Sequence, residues 1–448
     1  IKNNDFLPGI DPSTETAYLI FGMRRGGQSL FALDVTHRND PRLLWIVDPN
    51  SSPALADLGQ TWSDATVSKI DINGTTKHVV MIGGGYDTGQ DANGYFEDTV
   101  GNAIYMIDLD SGSVVWSAGD NDNHDLVMNM SSNAEANATM KHSIPAPVRG
   151  IDLTGNGYVD RIYAGDMGGR IWRFDVFNGA ANASELVGGG LLATLGAADL
   201  GAPATADVRR FYAVADIVPI LAVNEYEKSY ISVNIGSGYR AHPLETENDN
   251  WFFSVRDFDF FQKRTTSEFD APITFGDLID ITTFDPQAVP LLNTDLGWRL
   301  ALEAASGEKV VSSSLTLDGT VFFTSFSPTP PSNSCTEAVH GGGTNRLYRV
   351  SVLNGNPAPH PDDLPLAPAE MTAADRFEEL NQGGLAPGPV AFFTVDAPDP
   401  NNPPDPDECD PATQNCVGEP DICIGPACFP SGIGNGFIPT YWFQNETQ

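Results

Sequence analysis

The sequence predicts an all-β fold, specifically a modified β-propeller with long inserted loops. Three observations predict it. A short strand pattern recurs five times, each copy follows another alternating strand, and Gly and Asn/Asp turns punctuate the chain while helical periodicity is scarce. The repeat runs from a small or polar residue through two apolar or aromatic residues, a variable residue and an apolar residue, often ending in Asp. Its copies are Leu30 to Asp34, Ile104 to Asp108 and Ile171 to Asp175. A looser copy is Phe252 to Val255, with Asp257 one place late, and the last is Leu347 to Val350, with Ser351 where Asp would stand.

Each copy has an expected strand before it: Tyr18 to Phe21, His78 to Ile82, Arg161 to Ala164, Tyr230 to Ile235 and Val321 to Thr324. Strands ahead of these are expected at Ala65 to Ile70, Val148 to Asp152 and Val310 to Leu315. Fourth strands are expected at Leu43 to Val47 and Val114 to Ser117. Four short antiparallel strands per unit are the composition of a propeller blade. Five units are visible; the total stays open, and seven is compatible. The first unit lacks a first strand, which Gly388 to Val395 could supply by closing the ring. Ala373 to Leu380 is the best helical candidate. The propeller is expected over residues 1–395, followed by a Pro/Asp/Cys-rich segment at 396–435 and a tail at 436–448 that docks back or hangs loose.

Composition bounds the function classes. The 448 residues hold 24 Lys and Arg against 59 Asp and Glu, a net charge of −35. That balance excludes a basic footprint for nucleic acid and disfavours docking on anionic lipid. No apolar run approaches the ~18 residues of a membrane-spanning helix. Residue 1 is Ile, with no signal peptide after it, so the chain reads as processed or as a piece of a longer protein. Four of five cysteines fall between Cys409 and Cys428 at spacings Cx6C, Cx6C and Cx4C. These spacings suit disulfides better than zinc, and with the many Pro, Gly and Asn/Asp turns they imply an oxidising, extracytoplasmic setting. Their connectivity stays open.

One turn differs from the others. Oxygen donors stand at positions 1, 3, 5 and 9 of a loop: Asp152, Thr154, Asn156 and Asp160. Tyr158 at position 7 offers its backbone carbonyl, and Gly157 sits at position 6, where a calcium loop bends sharply. Position 12 is Tyr163 rather than a bidentate Glu, so this is an EF-hand-like loop between two strands and the expected cofactor is Ca²⁺. The equivalent turns in other units, Asp71 to Gly74 and Leu317 to Thr320, are ordinary tight turns. The alternative is a polar turn holding water. Thr154 is the weakest donor of the set, and two carboxylates imply modest affinity.

Other chemistry finds little support. Seven scattered histidines form no HxxxH or HExxH pair, and no GxSxG or Walker pattern occurs. The acidic loops Asp87 to Asp98 and Asp120 to Asp125 have irregular donor spacing. Met106 to Trp116 resembles the tryptophan-docking repeat of quinoprotein propellers, with Trp116 stacking on a neighbouring blade, but no adjacent cysteine pair accompanies it. No enzymatic activity is expected. The alternatives in other classes are a quinoprotein-like dehydrogenase and a stand-alone surface adhesin.

Together the residues resemble the C-terminal domain of PilY-type proteins of type IV pili. The matching pieces are Gly26-Gly27 with Leu30 to Thr36, Asp57 to Ser63, Gly84 to Asp87 with Gly101 to Tyr105, and the Asp152 loop running into Gly165-Asp166 and Trp172 to Asp175. Gly236 to Gly238 before Trp251 to Phe253 also fits, as does Gly319 to Thr324 leading to Cys335 and Gly341-Gly342. The resemblance implies a modified propeller and calcium held by Asp152, Thr154, Asn156, Tyr158 and Asp160. It implies a place at the pilus tip or cell surface, contact with minor pilins, and roles in pilus assembly, opposing retraction, twitching motility and adhesion to host or abiotic surfaces. Thr154 stands where the family usually has Asp or Asn. The family's N-terminal adhesive region is absent, and the 396–435 segment has no counterpart. The alignment suggests a bridge from Cys335 to one tail cysteine.

Overall fold

The computed structural model describes residues 15–129, 139–222, 228–259, 261–269, 271–284, 291–329, 342–358, 371–392, 421–425 and 427–430. Within them the chain forms six small sheets, taken in sequence order like the blades of a propeller. The first holds β1 (Tyr18–Gly22), β2 (Leu30–Asp34) and β3 (Arg42–Val47). The second holds β4 (Thr66–Ile72), β5 (Thr75–Gly83), β6 (Ile104–Asp108) and β7 (Val114–Gly119), with β8 (Leu126–Val127) added in parallel at its edge. The third is built from β9 (Arg149–Ile151), β10 (Arg161–Gly165), β11 (Arg170–Val176) and β12 (Val187–Thr194).

The fourth sheet carries the largest insertion. Its β13 (Asp216–Ile220), β14 (Tyr230–Gly236) and β15 (Trp251–Asp257) form a meander. The chain then leaves to form β16 (Ile273–Thr274), which pairs in parallel with β12 of the third sheet. It returns through β17 (Ile279–Asp280) to β18 (Gly297–Ala301), which pairs with β15. The fifth sheet holds β19 (Leu315–Leu317), β20 (Thr320–Pro328), β21 (Gly343–Ser351) and β22 (Phe377–Leu380). The sixth holds β23 (Val390–Phe392), β24 (Asp421–Ile424) and β25 (Ala427–Pro430).

All five repeat copies are strands at the expected register, and each pairs antiparallel with the strand predicted before it. Four expectations change. Ala373 to Leu380 is not a helix: Ala373–Arg376 makes one tight 3₁₀ turn and Phe377–Leu380 pairs with β21. Pairing with the free edge of β21 and a buried Leu380 outweigh the weak local helical period. The strand expected at Val310 to Leu315 starts later, at Leu315, while Lys309 makes only an isolated bridge to Phe326.

Val390–Phe392 does not complete the first sheet among the described residues; it pairs with Asp421–Ile424. Part of the Pro/Asp/Cys-rich 396–435 segment, where no strand was expected, is therefore sheet. Ile422 and Ile424 are fully buried, and Cys423 and Cys428 are bonded across the hairpin. That pairing removes two tail cysteines as partners for Cys335, which lies outside the described residues together with Cys409, Cys416 and the 436–448 tail.

The core is a series of apolar layers between successive sheets. Leu30, Ala32 and Trp45 of the first sheet meet Val80, Tyr105 and Ile107 of the second. Met81 and Trp116 meet Ile162 and Phe174; Tyr163 and Ile171 meet Ile235 and Phe253. Strands sandwiched on both faces explain why β10 and β11 are buried along their whole length. Tryptophans lock the layers. Trp45 Nε1 donates to the Leu109 carbonyl of the next sheet at 2.9 Å, and its ring covers the turn at Gly112. Gly112 has φ +71°, and a Cβ there would lie 2.7 Å from the indole, so both backbone and packing demand glycine. Trp116 is fully buried and meets Phe174 of the third sheet edge-on, ring centres 5.9 Å apart. Trp116 therefore packs on a neighbouring blade as expected, but edge-on rather than stacked.

Removing such an inter-sheet anchor leaves a large cavity. Trp116→Ala is expected to lower unfolding stability by about 3–5 kcal/mol in urea denaturation. A loss below about 1 kcal/mol would show that the second and third sheets do not depend on it.

Candidate metal site

The Asp152 to Asp160 loop joins β9 to β10, the same connection that in the second sheet is the tight Ile72-to-Thr75 turn. Its path is shaped by the first carboxylate. Asp152 Oδ1 accepts from the backbone N–H groups of Thr154, Gly155 and Asn156 at 3.1, 2.7 and 3.3 Å, and Oδ2 accepts from Gly157 N–H at 2.6 Å. Four donors converging on one carboxylate coil the backbone around it. Gly155 and Gly157 lie at φ +71° and +85°, which L side chains adopt only with strain. Asn156 Oδ1 accepts from the Tyr158 N–H at 2.9 Å. The Tyr158 hydroxyl lies 2.7 Å from Thr76 Oγ1, pinning the loop to the neighbouring sheet.

The far end of the loop is buried. Asp160 Oδ2 accepts from the backbone N–H groups of Leu153 and Thr154, both at 3.0 Å, and from the Thr154 hydroxyl at 2.9 Å. Its other oxygen accepts from Lys263 Nζ at 2.8 Å. The same ammonium donates to the Val176 carbonyl at 2.8 Å. Burial works against ionising Asp160, but Lys263 and Thr154 outweigh it and hold its pKa below the ordinary carboxylate value.

The structure thus brings Asp152, Thr154 and Asp160 together and leaves Asn156 and Thr154 at the surface. The donor set of carboxylate, hydroxyl, amide and carbonyl oxygens suits a hard cation such as calcium, and the backbone path is already bent to the loop form. It fits with one qualification: Asp160 has a tethered cation on one oxygen. Among the described residues, no three His, Cys, Asp or Glu side chains gather as a metal set, so any ion here relies on the neutral oxygens as well.

Sequence reasoning missed Lys263, which reaches the loop across 103 residues of chain. It also missed what stands behind the loop. Arg161, Arg173 and Asp175 are essentially fully buried, and Asp257 nearly so. Arg161 Nε donates to Asp175 at 2.6 Å, and Arg173 donates to Asp175 at 2.8 Å and to Asp257 at 2.8 and 3.0 Å. The Tyr163 hydroxyl donates to Asp257 at 2.6 Å. Burial opposes the Arg161 charge, yet Tyr163, Asp175 and Asp257 outweigh it and raise its pKa. The available signal was two arginines inside strands that should read as apolar throughout.

The Gly165-Asp166 and Trp172 to Asp175 pieces now have physical roles. Asp166 Oδ1 accepts from the N–H groups of Gly168 and Arg170, and Oδ2 accepts the Trp172 indole N–H at 2.8 Å. Complete burial pushes its pKa up to about 6, against these hydrogen bonds and the nearby Arg170. The acidic loop residues Asp87 and Asp98 serve similarly, as acceptors for N–H groups of Gly89, Thr99 and Ser143.

Architecture and corner together define a β-propeller domain with one turn enlarged into an oxygen-lined loop. Residues 10–188 match the family model described as the PilY1 beta-propeller domain. The type IV pilus biogenesis factor PilY1 of Pseudomonas aeruginosa is 32% identical over 164 residues, covering 37% of this chain and 12% of that protein. A PilY1 homologue of Xylella fastidiosa is 28% identical over 171 residues, covering 38% and 11% respectively. The matched part is thus about one eighth of the length of these relatives. The crystal structure of the Pseudomonas aeruginosa PilY1 C-terminal domain superposes with a TM-score of 0.61 at 18% identity, covering 92% of this chain and 79% of that one, which shows a common fold.

Asp175 is the shared acceptor of two buried guanidiniums, so its loss takes from Arg161 its closest carboxylate and leaves Arg173 with Asp257 alone. Asp175→Ala is expected to cost about 3–5 kcal/mol of unfolding stability by chemical denaturation. A change within about 0.5 kcal/mol would mean that water reaches Arg161 and Arg173 in the folded protein.

Proposed function

We propose that this chain is the propeller domain of a calcium-binding type IV pilus biogenesis factor, working outside the cytoplasm at the pilus tip or cell surface. In this role it supports pilus assembly against retraction through contact with minor pilins, and so contributes to twitching motility and attachment. The observation that carries the proposal is the Asp152 to Asp160 loop itself. Its donor spacing, glycine geometry and position directly ahead of the Arg161–Gly165 strand, which pairs with the matched Trp172 to Asp175 strand, occur together inside the region that matches the family model. The names of the relatives supply the pilus context. Among the described residues no helix is long and apolar enough to cross a membrane.

Asp152, Thr154, Asn156, the Tyr158 carbonyl and Asp160 would hold the ion, which supplies a fixed divalent charge at this corner. What this chain's own residues add is a link from that charge to a neighbouring blade. Asp160 is bonded to Lys263, and Lys263 lies in the insertion of the fourth sheet that lends β16 to the third. Any cation drawing on Asp160 competes with the Lys263 ammonium. Ion binding is thereby coupled to how firmly the insertion is fastened, which is a physical route from calcium to a surface that a pilin would meet.

Calorimetric titration tests the ion. Asp152→Ala is expected to abolish calcium binding, and undiminished binding would refute the assignment. Lys263→Met removes the competing charge and is expected to tighten calcium binding by roughly tenfold. An unaltered affinity would show that Asp160 takes no part. In cells, Asp160→Ala is expected to change pilus number and motility with the protein still present; wild-type counts and movement would leave the ion without a regulatory role.

A further inference from the structure

The sheets surround a cavity of about 650 Å³ to which all six contribute, through their connecting segments. Its lining comes from the β1–β2 and β5–β6 connections and from the segments leading into the fourth, fifth and sixth sheets. Those segments lie at the end of the antiparallel sheets opposite the β9–β10 connection, so the cavity and the Asp152 loop are on opposite ends of the domain.

The lining reverses the charge balance of the chain. Carboxylates outnumber cationic side chains 59 to 24 overall, yet this cavity is lined by Arg24, Arg25 and Arg240 against Asp64 alone. The three arginines differ in how they are committed. Arg25 is paired with Asp91 through both nitrogens at 2.5 and 2.6 Å, and Asp91 also accepts from the Tyr86 hydroxyl, so this group forms a neutral, fixed wall. Arg24 has a loose contact with Asp64 at 3.4 Å, with side chains 55% and 75% exposed, a pair worth little in water. Arg240 donates one nitrogen to the Val311 carbonyl at 3.1 Å and, among the described residues, has no carboxylate in salt-bridge reach.

A second, independent feature marks the same place. Arg24 lies at φ +50°, one of three non-glycine residues at positive φ among the described residues. The other two, Asn73 and Asp318, are short polar residues in hairpin turns, where that conformation is common. A long cationic side chain gains nothing from it locally. The position is held by Thr61, whose carbonyl accepts the Arg24 N–H at 3.1 Å and whose hydroxyl accepts the Met23 N–H at 2.7 Å. The strained backbone carries a guanidinium that packs over the Trp62 ring at 5.4 Å on the cavity wall.

We propose that this cavity is a binding site for a carboxylate ligand with an aromatic or apolar body. Arg24 and Arg240 would supply guanidinium forks for the carboxylate, and Trp62, Tyr86 and Tyr212 the walls for the body. A planar fork matches a carboxylate in a way that an ammonium does not, and the volume falls in the range of small-ligand pockets. The proposal is independent of the calcium assignment, since it uses none of the same residues.

Calorimetric titration of the purified chain with benzoate tests it, with benzamide as the neutral isostere and inorganic phosphate as the alternative anion. Saturable binding of benzoate, with benzamide and phosphate at least tenfold weaker, is expected. Arg24→Gly relieves the backbone at the strained position while removing the charge, so the variant should fold with an undiminished melting temperature. It and Arg240→Gln should each weaken benzoate by roughly tenfold. A short peptide ending in a free phenylalanine carboxylate, set against its amide, distinguishes the source: tighter binding than benzoate assigns the carboxylate to a polypeptide end, weaker binding to a small acid. The proposal is overturned if benzoate shows no saturation, if benzamide or phosphate binds as well, or if folded variants bind benzoate like the wild type.

Discussion

The buried pairing of Arg161 and Arg173 with Asp175 and Asp257 is the constraint on which the middle of this domain depends. Charges inside a protein are tolerated only when every partner is in place, and here two guanidiniums and two carboxylates share one enclosed volume. Because Asp257 ends a strand of the fourth sheet while the other three stand on the third, the pairing also fixes how those blades meet. Backbone carbonyls of Asp259 and Gln262 complete the guanidinium hydrogen bonds, which draws the insertion after β15 onto the third sheet.

That insertion makes the Asp152 loop more than a surface turn. Lys263 follows directly on Gln262 and reaches Asp160 at the loop's inner end, so loop, insertion and charge cluster are one connected structure. Apolar layers between sheets give the domain most of its cohesion, and tryptophans donating across the layers set their alignment. The polar cluster adds specificity at one junction, where the third sheet borrows β16 from its neighbour.

Much of this was legible in the residues. The five repeat strands and their partners follow from alternation, which records the two faces of each blade. The loop was visible because its donors and glycines are local in sequence, and the structure bends it as the glycines require. The failures were nonlocal. Ala373 to Leu380 carries a faint helical period, but an open edge on β21 takes its second half as a strand. No strand was expected in the Cys-rich region, yet Ile422 and Ile424 pack against Leu317, Phe322 and Leu347 of the fifth sheet. Lys263 gave no local sign, because a lone lysine in a polar loop looks like any solvated charge.

Strand alternation, glycine-dependent turns and the closely spaced oxygen donors were determined by the sequence alone, since each depends on residues within a few positions of one another. Which strand joins which edge, which lysine meets Asp160, and which arginines line the cavity were decided only by tertiary structure. Those contacts join segments tens to more than a hundred residues apart, and their strength comes from burial and mutual geometry that exist only once the blades are packed.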